Sequence, residues 1–167
     1  MSSSPPIPSN VKLKFTFLHN AERKMRKLFA SIMDDYCRRF GVGVTTGRVT
    51  ALFSGVGEMG DRDFSGVTFE GNGRYLVSVY DPALDQDSDP SEHHYVAWAF
   101  VTSLCHEMVH VMQGITGRIP KIEGFPPMSD EPDELYFFDP FEIEARILEG
   151  FYAAMFGEEL RHHIESE

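Results

Sequence analysis

The stretch TSLCHEMVHVMQ, residues 102–113, carries three ionisable side chains in a run that is otherwise mostly apolar. His106 and His110 are four residues apart, so on a helix both project from one face, one turn apart. Glu107 points roughly 100° around the same helix. The apolar neighbours predict a buried helix, in which two imidazoles and a carboxylate are costly unless a partner satisfies them.

A metal ion is one such partner. Two imidazoles with this spacing can bind one zinc ion, with their nitrogens about 2 Å from it. Glu107 would then flank the metal without binding it, and its expected role is general base for an activated water. The pattern HExxH is the signature of zinc metallopeptidases, and its position on an apolar helix makes it more specific. The alternative is a pair of hydrogen-bonded core histidines beside an ion-paired Glu107.

A catalytic zinc also needs a third protein ligand and an open position for water. The downstream candidates lie on a predicted second helix: Glu142 and Glu144 near its start, His162 and His163 near its end. If that helix is continuous, its ends are ~30 Å apart and only one can approach the metal. The segment FEIEA sets carboxylates among apolar residues, which favours the glutamate end. Glu142 also fits a capping box, and Glu144 would then be the ligand.

The segments HEMVHVMQ (106–113) and DPFEIEAR (139–146) together resemble the gluzincin group of zinc metallopeptidases. Members carry HExxH on one helix and a glutamate ligand on the next. The resemblance covers residues 95–155 and rests on these two motifs. It implies a zinc metalloendopeptidase in which Zn²⁺ has three protein ligands, His106, His110 and Glu142, and Glu107 is the base.

Arg146 departs from the gluzincin pattern. The family often has an acidic or amide residue here that orients a ligand histidine, and Glu144 or Asp139 are the substitutes we expect. Peptide hydrolysis also needs a group that stabilises the oxyanion. The candidates for this role are Tyr136 and Arg146, followed by Tyr152 and Arg118, and their spacing does not choose among them.

The periodicity of the whole chain predicts an α+β domain of minimal zincin-like type. Strands are expected at 11–17, 48–56 and 74–81, with a short one at 67–70. Helices are expected from Asn20 as N-cap to Gly41, from Asp89 as N-cap to Gln113 with Gly114 as a stop, and from Asp139 towards Ile164. We expect a small, mostly antiparallel sheet covered by these three helices. The strand at 74–81 is either an edge strand that pairs with extended substrate or an ordinary core strand.

Composition limits the function further. The net charge of −11 argues against binding to nucleic acid or anionic membrane. The sequence contains no run of eighteen apolar residues, so no membrane-spanning helix is expected. Residues 1–10 are expected to form a disordered arm before a single domain at 11–167. Without a visible signal peptide we expect a cytoplasmic protein, with Cys37 and Cys105 reduced.

The expected partner is a peptide or protein substrate. Two alternatives stay open from the sequence: a non-catalytic, zinc-stabilised structural or assembly protein that retains a peptidase fold, and a regulatory protease with a single protein target. The second follows from the resemblance to gluzincins that cleave repressors. In either case the chain could work within a larger assembly.

Overall fold

The computed structural model describes residues 6–16, 19–44, 47–54, 66–80, 93–118 and 139–166. The strands within these ranges are β1 (Val11–Phe15), β2 (Gly47–Ser54), β3 (Gly66–Phe69) and β4 (Arg74–Tyr80). The α-helices are α1 (Glu22–Phe40), α2 (His93–Ile115), α3 (Pro140–Phe156) and α4 (Glu158–Glu165), and a 3-10 helix at His19–Ala21 precedes α1. The α+β class predicted from the sequence is therefore confirmed.

The four strands form one mixed sheet in the order β1-β2-β4-β3. The β1–β2 and β2–β4 pairs are parallel, and only the β3–β4 pair is antiparallel. The prediction of a mostly antiparallel sheet is therefore wrong. The helix α1 connects β1 to β2, and a crossover of this kind joins parallel neighbours, whereas a short turn joins β3 to β4. The strand β4 is interior in this sheet, so of the two alternatives for it the ordinary core strand holds, and β1 and β3 are the edges.

One face of the sheet is covered by helices. Alternate side chains of β1, β2 and β4 are buried there, as the two-residue period of a strand requires. They join the buried faces of the helices in one hydrophobic core. The members contributed by the strands are Val11, Leu13, Val49, Ala51, Phe53, Tyr75, Val77 and Val79. None of the described helices is long and apolar enough to cross a membrane.

The helix ends differ from the sequence prediction where tertiary contacts intervene. The helix α1 ends at the left-handed Gly41 as expected, but its N-cap is Ala21, because Asn20 belongs to the preceding 3-10 helix. The predicted N-cap of α2, Asp89, lies outside the residues that the structure describes. The helix α2 continues through Gly114 to Ile115. A Cβ at position 114 would lie 2.5 Å from the Tyr75 ring, so Gly114 permits close packing on β4 and is not a helix stop.

The last helix is not continuous. Asp139 caps α3 by accepting hydrogen bonds from the backbone N–H groups of Phe141 and Glu142. The helix ends at Phe156, and Gly157 separates it from α4. A Cβ at position 157 would lie 2.6 Å from the Val101 side chain, so this glycine lets the junction approach α2.

Candidate metal centre

The site lies between α2 and the first turn of α3. His106 and His110 project from one face of α2, one turn apart, as their spacing requires. The Asp139 cap fixes the start of α3 and places Glu142, which is buried, opposite the two histidines. We call His106, His110 and Glu142 the His–His–Glu group.

The distances within the His–His–Glu group fit a single metal ion. Nε2 of His110 lies 2.9 Å from Oε1 of Glu142, and Nε2 of His106 lies 3.3 Å from Oε2. The two Nε2 atoms are 3.2 Å apart. Neighbouring ligand atoms around a tetrahedral zinc ion are roughly 3.4 Å apart when each is about 2.1 Å from the metal. This buried group could therefore hold a metal ion, although the distances do not identify which one.

The other ring nitrogen of each histidine, Nδ1, lies within hydrogen-bond distance of a side-chain oxygen. Nδ1 of His106 lies 2.6 Å from Oε2 of Glu149, and Nδ1 of His110 lies 2.8 Å from Oε1 of Gln113. The amide of Gln113 is oriented by its Nε2 group, which donates to the carbonyl of Phe141. Because carboxylate and amide oxygens accept, each Nδ1 donates, and the Nε2 lone pair of each neutral histidine is available to a cation.

The carboxylates beside the two histidines favour protonated imidazoles. Burial by itself would lower the pKa of His106, but hydrogen bonds to Glu142 and Glu149 outweigh it and raise that pKa to about 10. Burial likewise opposes charge on His110, whereas its contact with Glu142 raises the pKa. Near neutral pH a metal ion would therefore replace a proton held between an imidazole and the Glu142 carboxylate.

Glu107 is buried beside the His–His–Glu group, with 3% of its surface exposed. Its negative charge is among the causes that raise the pKa of both His106 and His110, so it lies within electrostatic reach of each. Glu107 does not belong to the three-residue group, so it is not one of the candidate ligands.

Glu144, the other candidate ligand, has different partners. Nη1 of Arg118 lies 2.6 Å and 2.7 Å from its two carboxylate oxygens, and the Tyr36 hydroxyl donates to Oε1. Nε2 of Gln113 lies 3.2 Å from the same Oε1. Glu144 therefore reaches His110 through Gln113, and Asp139 caps α3. Neither contacts a histidine of the His–His–Glu group directly, in contrast to the expectation that one of them orients a ligand histidine.

Two of the four candidates for oxyanion stabilisation, Tyr152 and Arg118, contact residues outside the His–His–Glu group. The hydroxyl of buried Tyr152 donates to Asp35. Arg118 is paired with Glu144, and its guanidinium lies 3.9 Å from the centre of the Phe40 ring. Arg146 is partly buried on α3, one turn after Glu142. Tyr136 lies outside the described residues.

Glu149 and Gln113 were missed by the sequence analysis, although both carried a signal. Gln113 follows His110 by three residues, and Glu149 follows Glu142 by seven, so each lies on the same helix face as its reference residue. Both are polar positions on predicted inward faces. A search for side chains that could orient His106 and His110 would have included them.

Comparison with known proteins finds no relative: no family model, no curated protein and no solved structure matches the chain. What the site can do follows from its own side chains. Two imidazoles and a carboxylate bind divalent transition metals, and a buried glutamate beside them can move a proton.

Proposed function

We propose that this chain is a zinc-dependent metallopeptidase with a minimal zincin-like fold of the gluzincin type. His106, His110 and Glu142 would hold the zinc ion. The observation that carries the proposal is the convergence of both Nε2 atoms on the Glu142 carboxylate, while both Nδ1 atoms are held by other acceptors. This arrangement is typical of histidines that bind a metal.

The proposed reaction is hydrolysis of a peptide bond. Zinc, when bound, supplies a Lewis acid that polarises the peptide carbonyl and lowers the pKa of water towards neutrality. Glu107 accepts a proton from the attacking water and returns it to the amine nitrogen that leaves. Glu149 and Gln113 keep the proton of each histidine on Nδ1, which directs Nε2 towards the metal.

Metal content and peptide cleavage, measured on the same preparations, test this proposal. Wild type should hold about one zinc ion per chain. His106→Ala should lose the metal, whereas His162→Ala, at an exposed position of α4, should keep it. Glu107→Gln should keep the metal and cleave nothing in a peptide library. The proposal fails if wild type gains no zinc on incubation, or if Glu107→Gln cleaves as fast as wild type.

A non-catalytic, zinc-stabilised structural protein is the second candidate. The low solvent exposure of the side chains at the site favours it. The side chains of His106 and His110 are 14% and 15% exposed, and Glu107 is 3% exposed. Closed zinc sites are typical of structural zinc, because catalysis needs an open coordination position. This candidate predicts that wild type and Glu107→Gln both bind zinc and melt at a higher temperature with it, and that neither cleaves any peptide.

A further inference from the structure

Three basic side chains lie side by side across the exposed face of the sheet. The register pairs Lys12 of β1 with Arg48 of β2, and Arg48 with Arg74 of β4. Neighbouring strands are about 4.8 Å apart, and paired residues project from the same face. All three side chains are exposed, and each lies at the start of its strand. We call Lys12, Arg48 and Arg74 the basic row.

The basic row has an energetic cost that the described carboxylates do not offset. Like charges that face each other on adjacent strands are destabilising. None of the described carboxylates forms an ion pair with a member of the row. Four basic residues of α1, by contrast, have such partners: Arg26 with Glu22, Lys27 with Glu159, Arg38 with Asp34, and Arg39 with Asp35. The chain has 26 acidic and 15 basic residues, so uncompensated positive charge is unusual for it.

The basic row also lines a recess of about 400 Å³. Asn10, Asn72, Gly47 and Gly73 complete the described lining, and none of the described lining residues carries a carboxylate. Asn72 has φ of 52° in the left-handed turn between β3 and β4, which holds it at the rim. Amides, one ammonium and two guanidinium groups are donors that match the oxygens of an anion.

We propose that this recess binds a phosphate-class anion with more than two negative charges, such as a diphosphate group. Two strand spacings, about 10 Å, separate the outer members of the row, so one anion with several charged oxygens can contact all three. Arginine favours such ligands because its planar fork binds two oxygens at once. The helix α2 packs against the opposite face of the sheet through Tyr75, so this site is separate from the His–His–Glu group and independent of the proposed peptidase activity.

Titration with inorganic pyrophosphate, without added divalent metal, tests the proposal by calorimetry and by backbone amide chemical shifts. Wild type should bind it, with shifts centred on the basic row, and binding should weaken as salt rises. Arg48→Gln, at the centre of the row, should weaken binding at least about tenfold, because a charge-assisted hydrogen bond is lost. Lys14→Gln is the matched control: it removes an exposed positive charge from the neighbouring strand β1, outside the recess, and should bind like wild type.

Thermal melting without pyrophosphate separates binding from folding. Arg48→Gln should melt at the wild-type temperature or above it, since it removes a like-charge neighbour from two strands. Pyrophosphate should raise the melting temperature of wild type but not of Arg48→Gln. The proposal is overturned if wild type does not bind millimolar pyrophosphate, if Arg48→Gln binds equally well, or if the shifts centre on the His–His–Glu group.

Discussion

Glu149 offers the sharpest test of how the site is built, because it contacts His106 and is not itself a ligand. Its Oε2 atom lies 2.6 Å from Nδ1 of His106, and its side chain is 28% exposed. Replacing it therefore removes one charge-assisted hydrogen bond without opening a core cavity. Loss of such an orienting partner costs 10- to 100-fold in metal affinity, or about 1.4–2.7 kcal/mol.

Two substitutions of Glu149 separate the loss of its negative charge from the loss of the hydrogen-bond acceptor. Glu149→Gln keeps an oxygen that can accept from Nδ1, so we expect the tautomer of His106 to be retained and zinc affinity to fall about tenfold. Glu149→Ala removes the acceptor, and we expect a loss closer to 100-fold. Competition with a chromogenic zinc chelator measures both. Glu158→Gln, at a position whose side chain is 72% exposed on α4, is the control and should bind zinc like wild type. Wild-type affinity in both Glu149 variants would refute the reasoning.

Three further predictions follow from individual contacts. Gln113→Leu removes the fully buried amide and its hydrogen bonds, so urea denaturation should show a loss of roughly 2–4 kcal/mol. The pKa of His106 is raised from 6.5 to about 10, so its contribution to the stability of metal-free protein should be fully present below pH 6.5, while its carboxylate partners are ionised, and should be lost as the pH rises towards 10. A melting temperature that does not fall as the pH rises towards 10 would contradict this. Gly114→Ala should lower the melting temperature because its Cβ would lie 2.5 Å from the Tyr75 ring, whereas Gly150→Ala, with open space around it, should not.

The metal motif could be predicted from the sequence because its information is local. The spacing of His106 and His110 places them on one helix face whatever the rest of the fold does. The choice between Glu142 and Glu144 is not local. It depends on Tyr36, which lies on α1, and on Arg118, which follows the end of α2; both contact Glu144.

The strand directions and helix breaks illustrate the same limit. A strand has the same alternating pattern whether its neighbour is parallel or antiparallel, so the pattern could not predict the parallel pairs of β2. The sequence pattern predicts a helix stop at Gly114 and a helix that continues through Gly157, and the structure shows the reverse. Only the neighbouring side chains, Tyr75 and Val101, distinguish a glycine needed for packing within α2 from one at the junction of α3 and α4.

The proximity of the three side chains bears on how zinc would bind. The Glu142 carboxylate oxygens lie 3.3 Å and 2.9 Å from the Nε2 atoms of His106 and His110, so the three side chains are already close together. Zinc binding would then exchange a proton for a metal ion with little movement of α2 or α3. Calorimetry in buffers of different ionisation enthalpy should detect release of about one proton or more per zinc ion near neutral pH.

X-ray absorption at the zinc edge of the zinc-loaded protein tests the central claim most directly, because it reports the atoms bound to the metal. The account predicts two imidazole nitrogens and at least one oxygen at about 2.0–2.1 Å, with no sulfur. Cys105 precedes His106 and is buried in the core, so a sulfur ligand would require a different site. Sulfur scattering at about 2.3 Å, or a zinc ion without imidazole ligands, would contradict the account.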